Sequence, residues 1–164
     1  MFQAEIANKS STLERLQGVV RLLVIDNLPP SERQLEKDLS ALGLKVDWVQ
    51  TLDEGIKQIK AGNIDGILLN ISLSDSNGIE TIKTARQYSR NLPILVYTAE
   101  DNKTMALEAL RAGAQDYLLK KEVSAKSIAR CLRYAIERQR IRYERWVNSF
   151  PFISFTLAII SAVV

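Results

Sequence analysis

Short apolar runs alternate with amphipathic segments along most of the chain. Runs typical of buried strands cover residues 19–25, 64–71 and 92–98, and shorter strand patterns cover 44–50 and 114–120. Apolar residues recur every three or four positions over 31–43, 51–62, 77–89 and 102–113, and a longer helical pattern begins near Ser124. Ser31 is the expected N-cap of the first helix, and Gly43 its end. The pattern therefore predicts an α/β fold in which five strands alternate with five helices.

This alternation also predicts where a functional site lies. Strands joined by helical crossovers form a doubly wound parallel sheet covered on both faces. Ligand sites in such open sheets lie at the carboxyl ends of the strands, where the strand order reverses. The polar residues at the carboxyl ends of the predicted strands are Asp26 and Asn27, Asn70, Thr98 and Lys120. We expect an acid, two amides, a hydroxyl and an ammonium group to share one crevice.

The same residues carry a resemblance to a known family. Arg21, four apolar residues and Asp26 form a first strand followed by Pro29, and "ALRAGAQDYLLK" spans the last predicted strand. Over roughly residues 18–140 the chain resembles the response-regulator receiver domain. The resemblance implies a flavodoxin-like five-stranded sheet of order 2-1-3-4-5, here with an extended C-terminal helix and an apolar tail.

The resemblance also assigns roles to positions. In that family two acids after the first strand hold Mg²⁺, an Asp after the third strand accepts a phosphoryl group, and a Ser or Thr and a Lys contact it. The matching positions here are Asp26 and Asn27 for the acids, Asn70 for the acceptor, Thr98 and Tyr117 for the switch pair, and Lys120 for the lysine. Asn70 and Asn27 thus replace two carboxylates by amides.

A neutral amide is a poor nucleophile, and Asp26 alone remains of the three acids that would surround Mg²⁺. The sequence therefore indicates a degenerate form, a pseudo-receiver that is not an enzyme, needs no cofactor or metal and acts through protein contacts. One alternative is phosphorylation of a substitute acid, Asp75 or Asp26. The structural alternative for Lys120 is an ion pair with Asp26, for Thr98 a cap on the following turn, and for Tyr117 a place in the core.

Basic residues concentrate on the last predicted helix. From Ser124 to Arg145 there are seven basic and two acidic residues, whereas the whole chain has a net charge of +3. The final basic positions are Arg138, Arg140, Arg142 and Arg145. A solvated helix end, a homodimer or partner contact, and an adaptor for nucleic acid are the alternatives, the last being disfavoured because no DNA-binding module follows.

An uncharged segment closes the chain. Residues 147–164 contain no charged side chain, which is close to the length that spans a membrane. Trp146, Phe150 and Phe152 lie where interfacial anchors are expected, next to the arginines. We expect this tail to associate with a membrane. Docking on a protein surface, or a longer membrane protein of which this is the first part, are the alternatives.

These observations suggest four parts: an N-terminal arm over 1–17, a receiver-like domain over 18–137, a basic helix extension over 138–146 and the tail over 147–164. The chain has one cysteine, Cys131, and no histidine, which excludes common zinc sites and Cys-His or Ser-His nucleophiles. Charges at Glu5 and Lys9 interrupt any secretory signal near the start. A cytoplasmic protein is expected, at the inner face of a membrane if the tail inserts.

Overall fold

A computed structural model describes residues 18–148, with the backbone alone at 143, 144 and 146–148. Strands and helices alternate along this range. The strands are β1 (Arg21–Ile25), β2 (Lys45–Val49), β3 (Gly66–Leu69), β4 (Ile94–Thr98) and β5 (Asp116–Leu119). The helices are α1 (Gln34–Ala41), α2 (Leu52–Ala61), α3 (Ile79–Tyr88), α4 (Lys103–Arg111) and α5 (Ala125–Asn148).

The strands form one parallel sheet of order β2-β1-β3-β4-β5, which confirms the predicted flavodoxin-like topology. The order reverses between β1 and β3, because β2 and β3 lie on opposite sides of β1. The exposed or edge position predicted for residues 44–50 is confirmed, since β2 is an outer strand of the sheet. The carboxyl ends of β1, β3, β4 and β5 therefore meet at one edge.

Successive side chains of each central strand enter two different apolar layers. Leu23 and Ile25 of β1 pack with α2, α3 and α4, whereas Leu22 and Val24 pack with α1 and α5. Period-two alternation places consecutive residues on opposite faces, so a continuously apolar strand is buried by helices on both sides. This arrangement leaves the strand ends as the place where polar side chains gather.

One predicted helix start is wrong. Ser31 does not cap α1; it lies in a short 3-10 turn over Pro30–Glu32, and α1 begins three residues later with Arg33 at its N-cap position. Pro29 and Pro30 restrict the backbone there and favour a turn before the helix. The predicted end is confirmed, because Gly43 follows the last turn with a φ of +83°, a conformation that glycine adopts at little cost.

Helix α5 is the longest helix among the described residues, with 24 residues. Its first half packs on the sheet through Ile128, Leu132 and Ala135, which are buried. Gly66 permits this close approach, because a Cβ there would collide with the Leu132 Cδ1 atom. Within residues 18–148 no helix combines the length and the apolar character needed to cross a bilayer.

Candidate functional site

Backbone hydrogen bonds hold the strand ends in register at the carboxyl edge of the sheet. The Asn70 N–H donates to the Ile25 carbonyl at 2.9 Å, and the Lys120 N–H donates to the Thr98 carbonyl at 2.8 Å. The predicted residues at the carboxyl ends of β1, β3, β4 and β5 are thereby brought to one crevice of about 470 Å³. Its lining residues are Asn27, Asn70, Ser72, Thr98, Ala99, Glu100 and Lys120.

Asp26 and Lys120 form a largely buried ion pair beneath this crevice. The Lys120 Nζ atom lies 2.6 Å from the Asp26 Oδ2 atom, and the Asp26 side chain is fully buried whereas that of Lys120 is 20% exposed. The Lys120 ammonium also lies 5.1 Å from the centre of the Tyr97 ring, within the range of a cation–π contact. Burial, and then the charge of Asp26, raise the pKa of Tyr97.

Asn70 hydrogen-bonds to the other oxygen of the Asp26 carboxylate. Its Nδ2 atom donates to the Asp26 Oδ1 atom at 2.9 Å and to the Asn27 Oδ1 atom at 3.3 Å. Its Oδ1 atom accepts the Ser72 N–H at 3.1 Å. A carboxylate only accepts and a backbone N–H only donates, so these partners determine the orientation of the amide. The nitrogen of Asn70 faces the acid, where a second carboxylate would be repelled.

The donor set does not fit a divalent cation of the kind that the resemblance implies. Magnesium prefers carboxylate and other oxygen ligands. Both oxygens of Asp26 are already hydrogen-bonded, one to an ammonium group and one to an amide nitrogen. The amide nitrogen of Asn70 carries hydrogens and cannot donate a lone pair to a metal.

Thr98 and Tyr117, the predicted switch pair, both contact the loop after β4. The Thr98 Oγ1 atom accepts the Glu100 N–H at 3.1 Å, so this buried hydroxyl caps the turn. The Tyr117 hydroxyl donates to the Glu100 carbonyl at 2.8 Å. Burial, followed by the negative charges of Glu100 and Asp101, raises the pKa of Tyr117. Sequence reasoning missed Glu100, whose backbone links the two side chains; its only signal was a position two residues after Thr98.

Comparison with known proteins now identifies the family. The family model described as response regulator receiver domain matches residues 22–132, more than half of the 164-residue chain. The chain belongs to the response regulator receiver family. Receiver domains are generally signalling domains rather than enzymes, and this membership supports a place in two-component signalling.

Curated relatives of this receiver include longer regulatory proteins. It is 29% identical over 128 residues to the transcriptional regulatory protein QseB of Haemophilus influenzae. The aligned region covers 78% of this chain and 57% of that protein. It is 32% identical over 111 residues to the response regulator MprA of Mycolicibacterium vanbaalenii, covering 68% of this chain and 48% of the relative. The chain thus spans about half the length of the curated relatives it matches.

Solved receiver structures share the fold. A two-component response regulator from Clostridium difficile is 27% identical, with a TM-score of 0.65, and the match covers 73% of this chain and 97% of that one. A CheY-like receiver domain from Methanospirillum hungatei is 21% identical with a TM-score of 0.67, covering 76% and 98%. The second likeness concerns the fold alone.

The Asp75 side chain of this receiver domain caps α2 and makes its hydrogen bonds outside its own loop. Its Oδ1 atom accepts the Leu52 N–H and its Oδ2 atom accepts the Asp53 N–H, both at 3.0 Å. These are two of the backbone groups that the first turn of a helix leaves without partners. Asp75 thus caps a helix that begins 23 residues before it in the chain, while α3 begins after Gly78 without a side-chain cap.

The predicted basic extension is the second half of α5. Arg138, Arg140, Arg142 and Arg145 all lie on this helix and are exposed. Trp146 belongs to α5, but its side chain lies outside the described part of the structure. The predicted anchors Phe150 and Phe152, the rest of the tail and the arm over 1–17 lie outside the described residues as well.

Proposed function

We propose that this receiver domain is a pseudo-receiver, which does not accept a phosphoryl group at position 70 and signals or scaffolds through protein contacts. The observation that carries the proposal is the Asn70 amide, whose nitrogen donates to Asp26 at 2.9 Å. An acceptor carboxylate at this position would bring two negative groups into that contact. The amide replaces their repulsion by a hydrogen bond and stabilises the crevice without a cation.

The chemistry of transfer supports the same reading. In phosphorylation by acetyl phosphate, a carboxylate oxygen attacks phosphorus, a new P–O bond forms, and the P–O bond to acetate breaks with acetate leaving. The attacking oxygen must be a competent nucleophile, and a divalent ion neutralises the gathered negative charge. The Asn70 oxygen is neutral and accepts the Ser72 N–H, and Asp26 is committed to Lys120.

The proposal is tested by incubating the full chain with acetyl phosphate and Mg²⁺ and measuring the intact mass. No phosphoryl adduct should form on the wild-type protein. The control is the double variant Asn27→Asp/Asn70→Asp, which restores the two missing carboxylates and should gain one acid-labile phosphoryl group. A stoichiometric adduct on the wild-type chain contradicts the proposal.

A substitute acceptor is the competing function, and the geometry disfavours it. Asp75 uses both oxygens to cap α2, and Asp26 is fully buried with both oxygens bonded. If an adduct nevertheless appears on the wild-type chain, the Asp75→Ala variant separates the two sites. Loss of the adduct in that variant would assign the modification to Asp75. Retention of the adduct would exclude Asp75 and leave Asp26 as the candidate acceptor.

We further propose that residues 147–164 tether the domain at the cytoplasmic face of a membrane. Support comes from eighteen consecutive uncharged residues, which begin two positions after the last arginine of α5. The full chain should float with neutral phosphatidylcholine vesicles, and Ile159→Lys/Ile160→Lys should abolish flotation because ammonium groups are costly in hydrocarbon. Equal flotation of both proteins would remove the tether from the proposal.

A further inference from the structure

A groove lies at the amino edge of the sheet, opposite the crevice. It has a volume of about 730 Å³ and runs between the second half of α5 and the loops that precede β3 and β4. Ile64, Leu92 and Ile136 contribute apolar surface to the groove, and Arg90, Arg140 and Arg142 contribute guanidinium groups. We call these six residues the basic groove. It exists because α5 continues beyond the residues that pack on the sheet.

Positive charge exceeds negative charge in this groove. Asp65 is the single acidic residue that lines the same cavity, against three arginines. Its Oδ2 atom accepts the backbone N–H of Arg21 at 2.8 Å. Burial, and then the positive charge of Arg142, lower the pKa of nearby Arg86. The excess of arginines over acids gives the groove a positive potential, which a bound anion would neutralise.

Arg86 also gives the groove a defined shape. Its guanidinium group donates to the carbonyl oxygens of Ser89 at 2.7 Å and Leu92 at 2.8 Å, on either side of Arg90. A third bond reaches the Gly113 carbonyl at 2.6 Å. The backbone that presents Arg90 is therefore held in place by the Arg86 side chain, so this backbone loses little entropy when Arg90 contacts a ligand.

The chain beyond the groove indicates what kind of anion fits. Arginine forks match phosphate oxygens, and the apolar part of the groove suits a ligand with a hydrocarbon portion. Residues 149–164, which continue directly from α5, contain no charged side chain. A basic patch next to an apolar segment supplies the two signals that stable membrane attachment requires.

We propose that the basic groove binds the phosphate headgroup of an anionic membrane lipid. The guanidinium groups of Arg90 and Arg142 contact the phosphate, and the apolar side chains face the start of its hydrocarbon portion. This inference is independent of whether Asn70 accepts phosphate. The choice of a membrane lipid as the source of the phosphate rests on the proposed tether at residues 147–164, whereas the phosphate contacts come from the groove residues. Each arginine near an anionic surface contributes about fivefold to affinity, an effect that salt weakens.

The experiment compares the binding of the full chain to phosphatidylcholine vesicles with and without phosphatidylglycerol, at low and high salt. Arg90→Gln/Arg142→Gln should lower the affinity for the anionic vesicles roughly 25-fold, as two contributions of about fivefold predict, and leave the affinity for neutral vesicles unchanged. The matched control is Arg111→Gln/Arg130→Gln, which removes the same charge from exposed positions outside the groove. It should keep most of the wild-type affinity. Unchanged melting temperatures would show that both variants fold.

Several results would overturn the inference. Equal losses in the two double variants would indicate a general charge effect, and no loss in the groove variant would exclude these arginines. Displacement by inorganic phosphate at constant ionic strength would assign the groove to a free anion. Binding to a DNA duplex that the groove variant loses, without vesicle binding, would assign it to nucleic acid. Failure of the tether is distinguishable from all of these results, because it would appear as unchanged flotation of Ile159→Lys/Ile160→Lys with neutral vesicles, a quantity to which the groove arginines do not contribute.

Discussion

Asp26 has a fully buried carboxylate, and two partners offset the free-energy cost of burying its charge. Lys120 balances its charge at 2.6 Å, and Asn70 hydrogen-bonds its other oxygen at 2.9 Å. Charges removed from water are costly unless they are paired and hydrogen-bonded, so this triad is satisfied only as a unit. The amide at position 70 therefore has a structural role, because it satisfies one oxygen of the buried carboxylate.

Removing the cation from this triad should be costly. In Lys120→Met the buried carboxylate of Asp26 keeps only its amide partner, and the free energy of unfolding in urea should fall by about 3 kcal/mol. The double variant Asp26→Asn/Lys120→Met should recover much of that loss. Lys121→Met removes an exposed ion pair with Asp101 and should leave stability unchanged within error. Equal effects at Lys120 and Lys121 would contradict the argument.

Tyr117 should make stability sensitive to alkaline pH. Its pKa in the folded state is raised above the usual 10.0, mainly by burial. The folded protein therefore retains this proton where the unfolded chain has lost it. The resulting stability is fully present below the unfolded pKa and is lost as pH rises through the folded value. Melting temperatures should fall above pH 10.0, and less steeply in Tyr117→Phe. Parallel curves for the two proteins would refute this.

At the level of elements, the loop after β3 and the start of α2 are connected by Asp75. Local sequence signals place a cap just before its own helix, but here the carboxylate caps a helix that precedes it in the chain. Thr51 supplies a second, local cap by accepting the Glu54 N–H. The α2 N-terminus is thus coupled to the loop that borders the crevice.

Asp75→Ala should lower the free energy of unfolding by about 1 kcal/mol, as loss of a helix cap usually does. Amide hydrogen exchange at Leu52 and Asp53 should become faster, because these donors would lose their acceptor. Ser74→Ala, at an exposed neighbouring position, is the control and should change neither quantity. Unchanged exchange in Asp75→Ala would show that the cap contributes little in solution.

Across the whole molecule, the two candidate sites lie at opposite ends of the same parallel strands. The crevice is at the carboxyl edge and the basic groove is at the amino edge, so they share no lining residue. Well-separated substitutions without common partners usually have additive effects on stability. The sheet between them is packed on both faces and provides a rigid separation.

The combined variant Lys120→Met/Arg90→Gln/Arg142→Gln should therefore lose the sum of the separate stability changes within about 0.5 kcal/mol. Lys120→Met alone should also leave the affinity for phosphatidylglycerol vesicles unchanged. Urea unfolding and vesicle sedimentation measure the two quantities on the same preparations. A departure from additivity larger than that error would show that the carboxyl edge and the amino edge of the sheet are energetically coupled, which the described contacts do not predict.

Most of the fold could be predicted from the chain itself. The apolar runs and the helical spacing of apolar residues located the five strands of the described residues and the helices between them. These features depend on periodicity, which is a local property of the sequence. The start of α1 was missed because two prolines made a turn more favourable than the capped helix that Ser31 suggested.

The sequence by itself also determined the chemical identity of the crevice, since strand ends and family resemblance placed two amides where acids are expected. Only the tertiary structure decided how these groups are satisfied: Asn70 donates to Asp26, Asp75 caps α2, and Glu100 joins Thr98 to Tyr117. The basic groove likewise depends on where α5 passes the loops before β3 and β4. Hydrogen bonds and clefts between distant segments depend on distances that periodicity does not encode, which is the physical reason for this division.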